Sequence, residues 1–314
     1  MTTPWLHSLL WRLICPYSKT MNYLRHFFLF VILGLLLGCT KDEETTPDNP
    51  VASGPRLILK FKFDSTQVRL NGLGQPEPAV EAGHGAQSPV FDRMSAHYAE
   101  FAPNATTLLG QGDIVYHAPE TTLGGAAAID HDLSLEVAQN GEFLNIPLSD
   151  LSPGTYEWLR VSLAYQNYNI KFRINPNLNL TGTIASFIGY DTYISSFAIN
   201  DSIFQVNGNR RQGFWGFETL LYADTGSASP GATTVPNPLF TTSPVPAGSC
   251  VVTGELSAPL TVTGLETEDV VIIVSLSTNK SFEWAEIDGD NVFEPLEGEF
   301  PVDMGIRGMI PIVQ

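Results

Sequence analysis

Thr155-Tyr156-Glu157-Trp158-Leu159-Arg160-Val161-Ser162-Leu163-Ala164-Tyr165 is the clearest long strand in this 314-residue chain. Leu159, Val161, Leu163 and Tyr165 share one face, and Arg160 and Ser162 the other. That period of two is what a half-buried strand requires. Ser152-Pro153-Gly154 sets a turn before it, and residues 167–174 continue the sheet.

Working outward, the same alternation recurs at Leu57-Ile58-Leu59-Lys60-Phe61-Lys62-Phe63, where every odd position is apolar and two of the three even ones are lysine. Further strands are expected at residues 94–101, 114–116, 133–137 and 142–146, with Asn140-Gly141 as a hairpin signal between the last two. Residues 183–193 suit either a strand or a buried helix. Val270-Val271-Ile272-Ile273-Val274-Ser275-Leu276 is apolar enough to be buried on both faces. The chain closes on residues 306–313, broken by Pro311. With no internal repeat and no long amphipathic helix, residues 55–314 are expected to form an all-β, antiparallel sandwich, either as one domain or as two packed sub-domains. The Pro, Gly, Ser and Thr-rich stretch 223–249 reads as a long loop.

Upstream, Arg25 and His26 precede an apolar run from Phe27 to Leu37 that closes on Gly38, the charged, apolar, small-residue order of an export signal. The run is about half the roughly twenty residues needed to cross a bilayer as a helix. Leu35-Leu36-Leu37-Gly38-Cys39 resembles the lipobox of bacterial lipoproteins. The resemblance implies cleavage before Cys39, diacylglycerol on its sulfur and an acylated amine. Three chains at roughly 0.8 kcal/mol per buried CH₂ make such an anchor effectively permanent. Residues 1–38 are then a signal region, with Met21 as the expected translation start. Membrane lipid is the expected partner through Cys39, and the outer membrane, facing the periplasm or the cell surface, is the expected location.

Behind Cys39, Thr40-Lys41-Asp42-Glu43-Glu44-Thr45-Thr46-Pro47-Asp48-Asn49-Pro50 has nothing apolar to bury, so residues 39–54 read as a tether. Its acidic cluster is either a solvated spacer or the kind of tag that carries lipoproteins to the outer face in some Gram-negative lineages. The first 38 residues carry three basic residues, Arg12, Lys19 and Arg25, and no acidic one. What remains holds 13 basic against 33 acidic residues. That balance excludes a general role in binding nucleic acid, which needs cationic contacts to phosphate. With Cys15 removed and Cys39 lipidated, Cys250 has no partner and packs as a small hydrophobe.

Chemistry must come from few residues. Asp130-His131-Asp132 is the densest group, although neighbours on a strand point to opposite faces and could meet only in a turn. His97-x-x-Glu100 and His117-x-x-Glu120 have helical spacing in strand-like sequence. Convergence of two or more of His84, His97, His117 and His131 would make an imidazole site for copper or zinc. Glu286-x-Asp288-Gly289-Asp290-Asn291 with Glu294 crowds oxygen ligands, either as a calcium site or as a solvated acidic turn. Arg210-Arg211-Gln212-Gly213-Phe214-Trp215-Gly216-Phe217 suits a ligand platform or, more simply, a core strand edged by arginines. Ser277-Thr278-Asn279-Lys280 follows a strand and lacks companion motifs. Gly72-x-Gly74 lacks the third glycine of a dinucleotide loop. Gly-x-Ser-x-Gly is absent.

Leu57 to Phe63, Met94-Ser95-Ala96-His97-Tyr98-Ala99-Glu100 and Ser152-Pro153-Gly154-Thr155-Tyr156-Glu157-Trp158-Leu159-Arg160 together resemble the order found in the MbnP-like family of secreted, copper-associated β-sandwich proteins. The resemblance spans roughly residues 57–165 and implies a sandwich. Members with a copper site use histidines beside a tryptophan-derived ligand. Trp158, Trp215 and Trp284 have no histidine near them in sequence, so no ligand is carried across. The expected function is a lipid-anchored binding or accessory module that captures a metal ion or small ligand. The alternatives are an adhesive module for protein or glycan and a carbohydrate-active enzyme with two carboxylates flanking a cleft.

Overall fold

The computed structural model describes residues 54–77, 79–228, 245–246 and 248–314. The signal region, Cys39, nearly all of the tether and the middle of the 223–249 stretch lie outside the described residues. The chain runs through β1 (Arg56–Asp64), β2 (His84–Gln87), β3 (Val90–Ala102), β4 (Asp113–His117), β5 (Glu120–Thr121) and β6 (Ala128–Asp130). Next come β7 (Glu136–Ala138), β8 (Glu142–Pro147), β9 (Gly154–Asn175), β10 (Leu178–Phe187), β11 (Asp191–Ala198) and β12 (Ile203–Arg211). The last are β13 (Phe214–Thr219), β14 (Tyr222–Ser227), β15 (Cys250–Val262), β16 (Val270–Ser277), β17 (Phe282–Ala285), β18 (Pro301–Met304) and β19 (Met309–Val313). Helix is confined to short 3₁₀ turns among the described residues.

The fold is an all-β sandwich. One layer is β19-β16-β1-β8, and the facing layer is β14-β13-β10-β9-β3-β4, with β15 added along β9 and β7 along β3. The 22-residue β9 is the spine. One edge of it pairs with β3, and the other pairs with β15 along its first half and β10 along its second. The alternation read from the sequence sets the core. Leu57, Leu59, Phe61 and Phe63 of β1 pack against Leu159, Val161 and Leu163 of β9, with Ile272, Val274 and Leu276 of β16 beside them. Each such side chain stabilises the fold by about 1.5–3 kcal/mol on burial. At the entry to β9, Tyr156 Oη lies 2.8 Å from Ser152 O and 2.9 Å from Asp113 Oδ2, fastening the turn to β4.

Several local expectations change. Residues 183–193 are strand throughout apart from the turn between β10 and β11. β16 runs parallel to β1, and its Val271 and Ile273 are only half-buried, so one face of this strand is less covered than its composition predicts. Pro311 sits in β19, at the edge of its sheet, where a missing N–H is tolerated. Asn140 does adopt a left-handed turn, with φ 60°. Yet β7 pairs with β3 and β8 with β1, so the Asn140-Gly141 turn carries the chain between layers and closes no hairpin ladder. Residues 223–227, expected in the long loop, belong to β14. Phe214 is buried and Phe217 packs on Phe172, which makes these two aromatics core beside an exposed Arg211; Arg210 lies 5.2 Å over the Phe214 ring.

A smaller sheet, β12-β11-β6-β5, packs on the second face of the spine through Tyr165, Phe187, Ile194, Phe197 and Phe214. The fourth sheet is β18-β17-β2. Cys250 is unpaired and buried in the main core, where burial pushes its thiol up to about 12.

Candidate metal centre

The four histidines divide into one pair and two single residues. The β3–β9 ladder slips between Ala96 and Tyr98, which inserts His97 as an extra residue in the strand. Its imidazole is 1% exposed, and neither ring nitrogen has a hydrogen-bond partner. Burial, assisted by the nearby His117, depresses its pKa to about 3, so the ring is neutral at physiological pH. A buried ring with an unsatisfied donor and an unsatisfied acceptor carries a cost of about 1–3 kcal/mol per group, which a ligand would offset.

His117, at the end of β4, lies against His97 with ring centres 6.2 Å apart and planes at 89°. Its Nδ1 is 3.0 Å from the carbonyl oxygen of Ala118. A carbonyl can only accept, so Nδ1 carries a proton and, in the neutral ring, Nε2 presents a lone pair. Nε2 lies 3.9 Å from Glu120 Oε1. A lone pair facing a carboxylate is stable only with a proton or a cation between them. Tyr190 donates to the same carboxylate oxygen at 2.8 Å and sets its ring edge-on to that of His97, with centres 5.4 Å apart. Two imidazoles and a carboxylate are the donor set of zinc and copper. At the usual metal–nitrogen length of about 2.0–2.1 Å, bridged rings sit roughly 5–6 Å apart, close to what is observed. His117 is about half exposed and sits on an edge strand, with room to adjust.

The other candidates have different surroundings. His84 Nδ1 is 3.1 Å from Glu283 Oε2. Trp284 is opposite Gly85 in the same ladder, one position from His84, but strand alternation sends its ring to the other face, into the main core; its Nε1 donates to Glu286. Asp130 accepts from the Asp132 amide and caps the 3₁₀ turn His131–Leu133, while His131 packs on Tyr165 and Phe187. The dense triplet is therefore a cap and a core ring. Glu100 does not face His97's nitrogens; it accepts from Tyr98 and from the amides of Gly110 and Gly112.

Among the described residues only Glu286, Asp288 and Asp290 have three ligand atoms all within 4.8 Å of one another. Much of that oxygen is already engaged. Glu286 accepts from Trp284 and Gly289, Asp288 accepts from the Asp290 amide, and Arg173 pairs with both Asp290 and Glu294. Glu294 is thereby drawn to the guanidinium, 2.6 Å from its Nε.

Sequence reasoning named His97 and His117 but not their pairing, and Tyr190 carried no signal at all. No family model matches the chain, and no curated protein and no solved structure matches it.

Proposed function

We propose that the protein is a lipid-anchored module of the bacterial cell envelope, held to the outer membrane through Cys39, that captures a copper or zinc ion between His97 and His117. The observation that carries the metal reading is His97, a buried imidazole with two unpartnered nitrogens whose ring lies 6.2 Å from that of a second imidazole. Glu120, 3.9 Å from His117 Nε2 and oriented by the Tyr190 hydroxyl, is the third donor and needs a side-chain shift to reach a shared ion, because the three ligand atoms do not all lie within 4.8 Å of one another. The acidic balance of the chain favours attraction of cations. The charged, apolar, small-residue order ending at Cys39 supports the address.

Titration with zinc, or with Cu(I) against a colorimetric chelator, is expected to give one ion per chain. His117→Ala, at a half-exposed position, is expected to weaken binding by a hundredfold or more with little change in melting temperature. Absence of stoichiometric uptake would refute the metal reading, as would uptake unaffected by His117→Ala. The address has its own test. Cys39→Ser is expected to leave the signal uncleaved and to abolish incorporation of labelled fatty acid; a variant that still loses its leader and still fractionates with lipid would refute the anchor.

A further inference from the structure

A second site is present on the opposite side of β3 from β9. A cleft of about 660 Å³ opens between β11 and the strands β7 and β8, and His131 and Asp132 of the 3₁₀ turn form another of its borders. Its size falls within the range of small-molecule sites. Arg93 of β3 is fastened across it, with Nε 2.9 Å from Glu136 Oε2 and a terminal nitrogen donating to Ala198 O at 3.0 Å. The guanidinium is thus held in place from two sides, with N–H groups to spare. Glu136 Oε1 lies 3.8 Å from His131 Nε2. Burial holds the His131 ring down to about 4, so it is neutral at pH 7 and acts as a hydrogen-bonding group without charge.

The lining decides the ligand class by exclusion and by complementarity. Asp132, Glu136 and Glu142 face it against the single cation Arg93, which disfavours an anion. A metal is disfavoured by the guanidinium already held on Glu136. An apolar ligand would strand the charges and the hydroxyl of Ser196. The donors and acceptors share the wall with the exposed side chain of Leu135, while Val137 and Phe197 are nearly covered. A sugar ring offers the matching surface, with hydroxyls that both donate and accept and with C–H faces between them.

We propose that this cleft binds a neutral saccharide, with the Arg93–Glu136 pair as a fixed donor and acceptor for adjacent hydroxyls and with Ser196 and Asp132 on the surrounding wall. The site is separate from the histidine pair and does not depend on the metal reading. The test is binding of detergent-solubilised full-length protein to an array of neutral glucans, mannans, galactans and xylans, with spermidine as a cationic comparison. At least one glycan class is expected to bind. Ser196→Tyr, which fills the cleft, and Asp132→Asn, at an exposed position, should each weaken that binding tenfold or more, while His117→Ala and chelator treatment leave it unchanged. No glycan bound, binding indifferent to both cleft variants, or spermidine bound in place of glycans would each overturn the proposal.

Discussion

Replacing Glu100 with alanine is expected to destabilise the protein by about 3–5 kcal/mol, the usual result of breaking a buried ion pair from one side. Glu100 and Arg160 are both fully buried, with Arg160 Nη1 3.7 Å from Glu100 Oε1, an ion pair longer than a hydrogen bond. The carboxylate also accepts from Tyr98 Oη at 2.8 Å, from Gly110 N at 2.9 Å and from Gly112 N at 2.6 Å. Burial lowers the pKa of Arg160, opposed by the charge of Glu100; without that charge the guanidinium has only the carbonyl of Thr107. One residue therefore pins the 103–112 loop and neutralises a buried cation. Urea unfolding of Glu100→Ala measures the loss, and a change below 1 kcal/mol would contradict this account of the network. Gly112→Ala should weaken the same loop, because a Cβ there would lie 2.5 Å from Glu100 Oε1 and 2.2 Å from Phe101 O.

The second large effect is expected at Glu283, again about 3–5 kcal/mol on substitution by alanine. This buried carboxylate holds Arg69 at 2.7 Å and Arg307 at 2.9 Å on one oxygen, and His84 at 3.1 Å on the other. It thereby ties the 65–77 segment, β2 and the 301–307 segment to β17. Burial pushes its pKa up, but the two arginines and His84 outweigh burial and hold it below the ordinary 4.5. The sign follows from linkage: a carboxylate whose folded value lies below its unfolded one contributes stability that is full above about pH 4.5 and is lost as pH falls through the folded value. The urea midpoint of the wild type should accordingly drop more steeply below pH 4.5 than that of Glu283→Gln. Parallel curves for the two proteins would contradict the assignment.

What the sequence made legible follows from how local the determining physics is. β1 could be read residue by residue, because alternation is a property of the strand itself and survives any choice of partner. For β9 the alternation located the strand but not its burial: Arg160 and Ser162 are buried like their neighbours, and Tyr165 packs with the smaller sheet, apart from Leu159, Val161 and Leu163. The 140–141 turn was recognised by its chemistry, but which strands it joins depends on β3 and β1, which lie far away in the chain. The parallel β1–β16 pairing unites segments over two hundred residues apart. For the site, histidine and carboxylate identities were visible and their convergence was not. His97 and His117 meet because a one-residue slip in the β3–β9 ladder turns His97 out of register. A bulge of that kind is decided by the fit of two long strands, and no residue in Ala96-His97-Tyr98 announces it. The Glu283 cluster was missed for the same reason, since His84 and Glu283 are 199 positions apart.

If His97 and His117 share one metal ion, anomalous diffraction at the zinc edge from crystals grown with zinc locates it directly. A single strong peak within bonding distance of both rings is the expected result. A map empty at that position, or with its main peak among Glu286, Asp288 and Asp290, would contradict the metal reading.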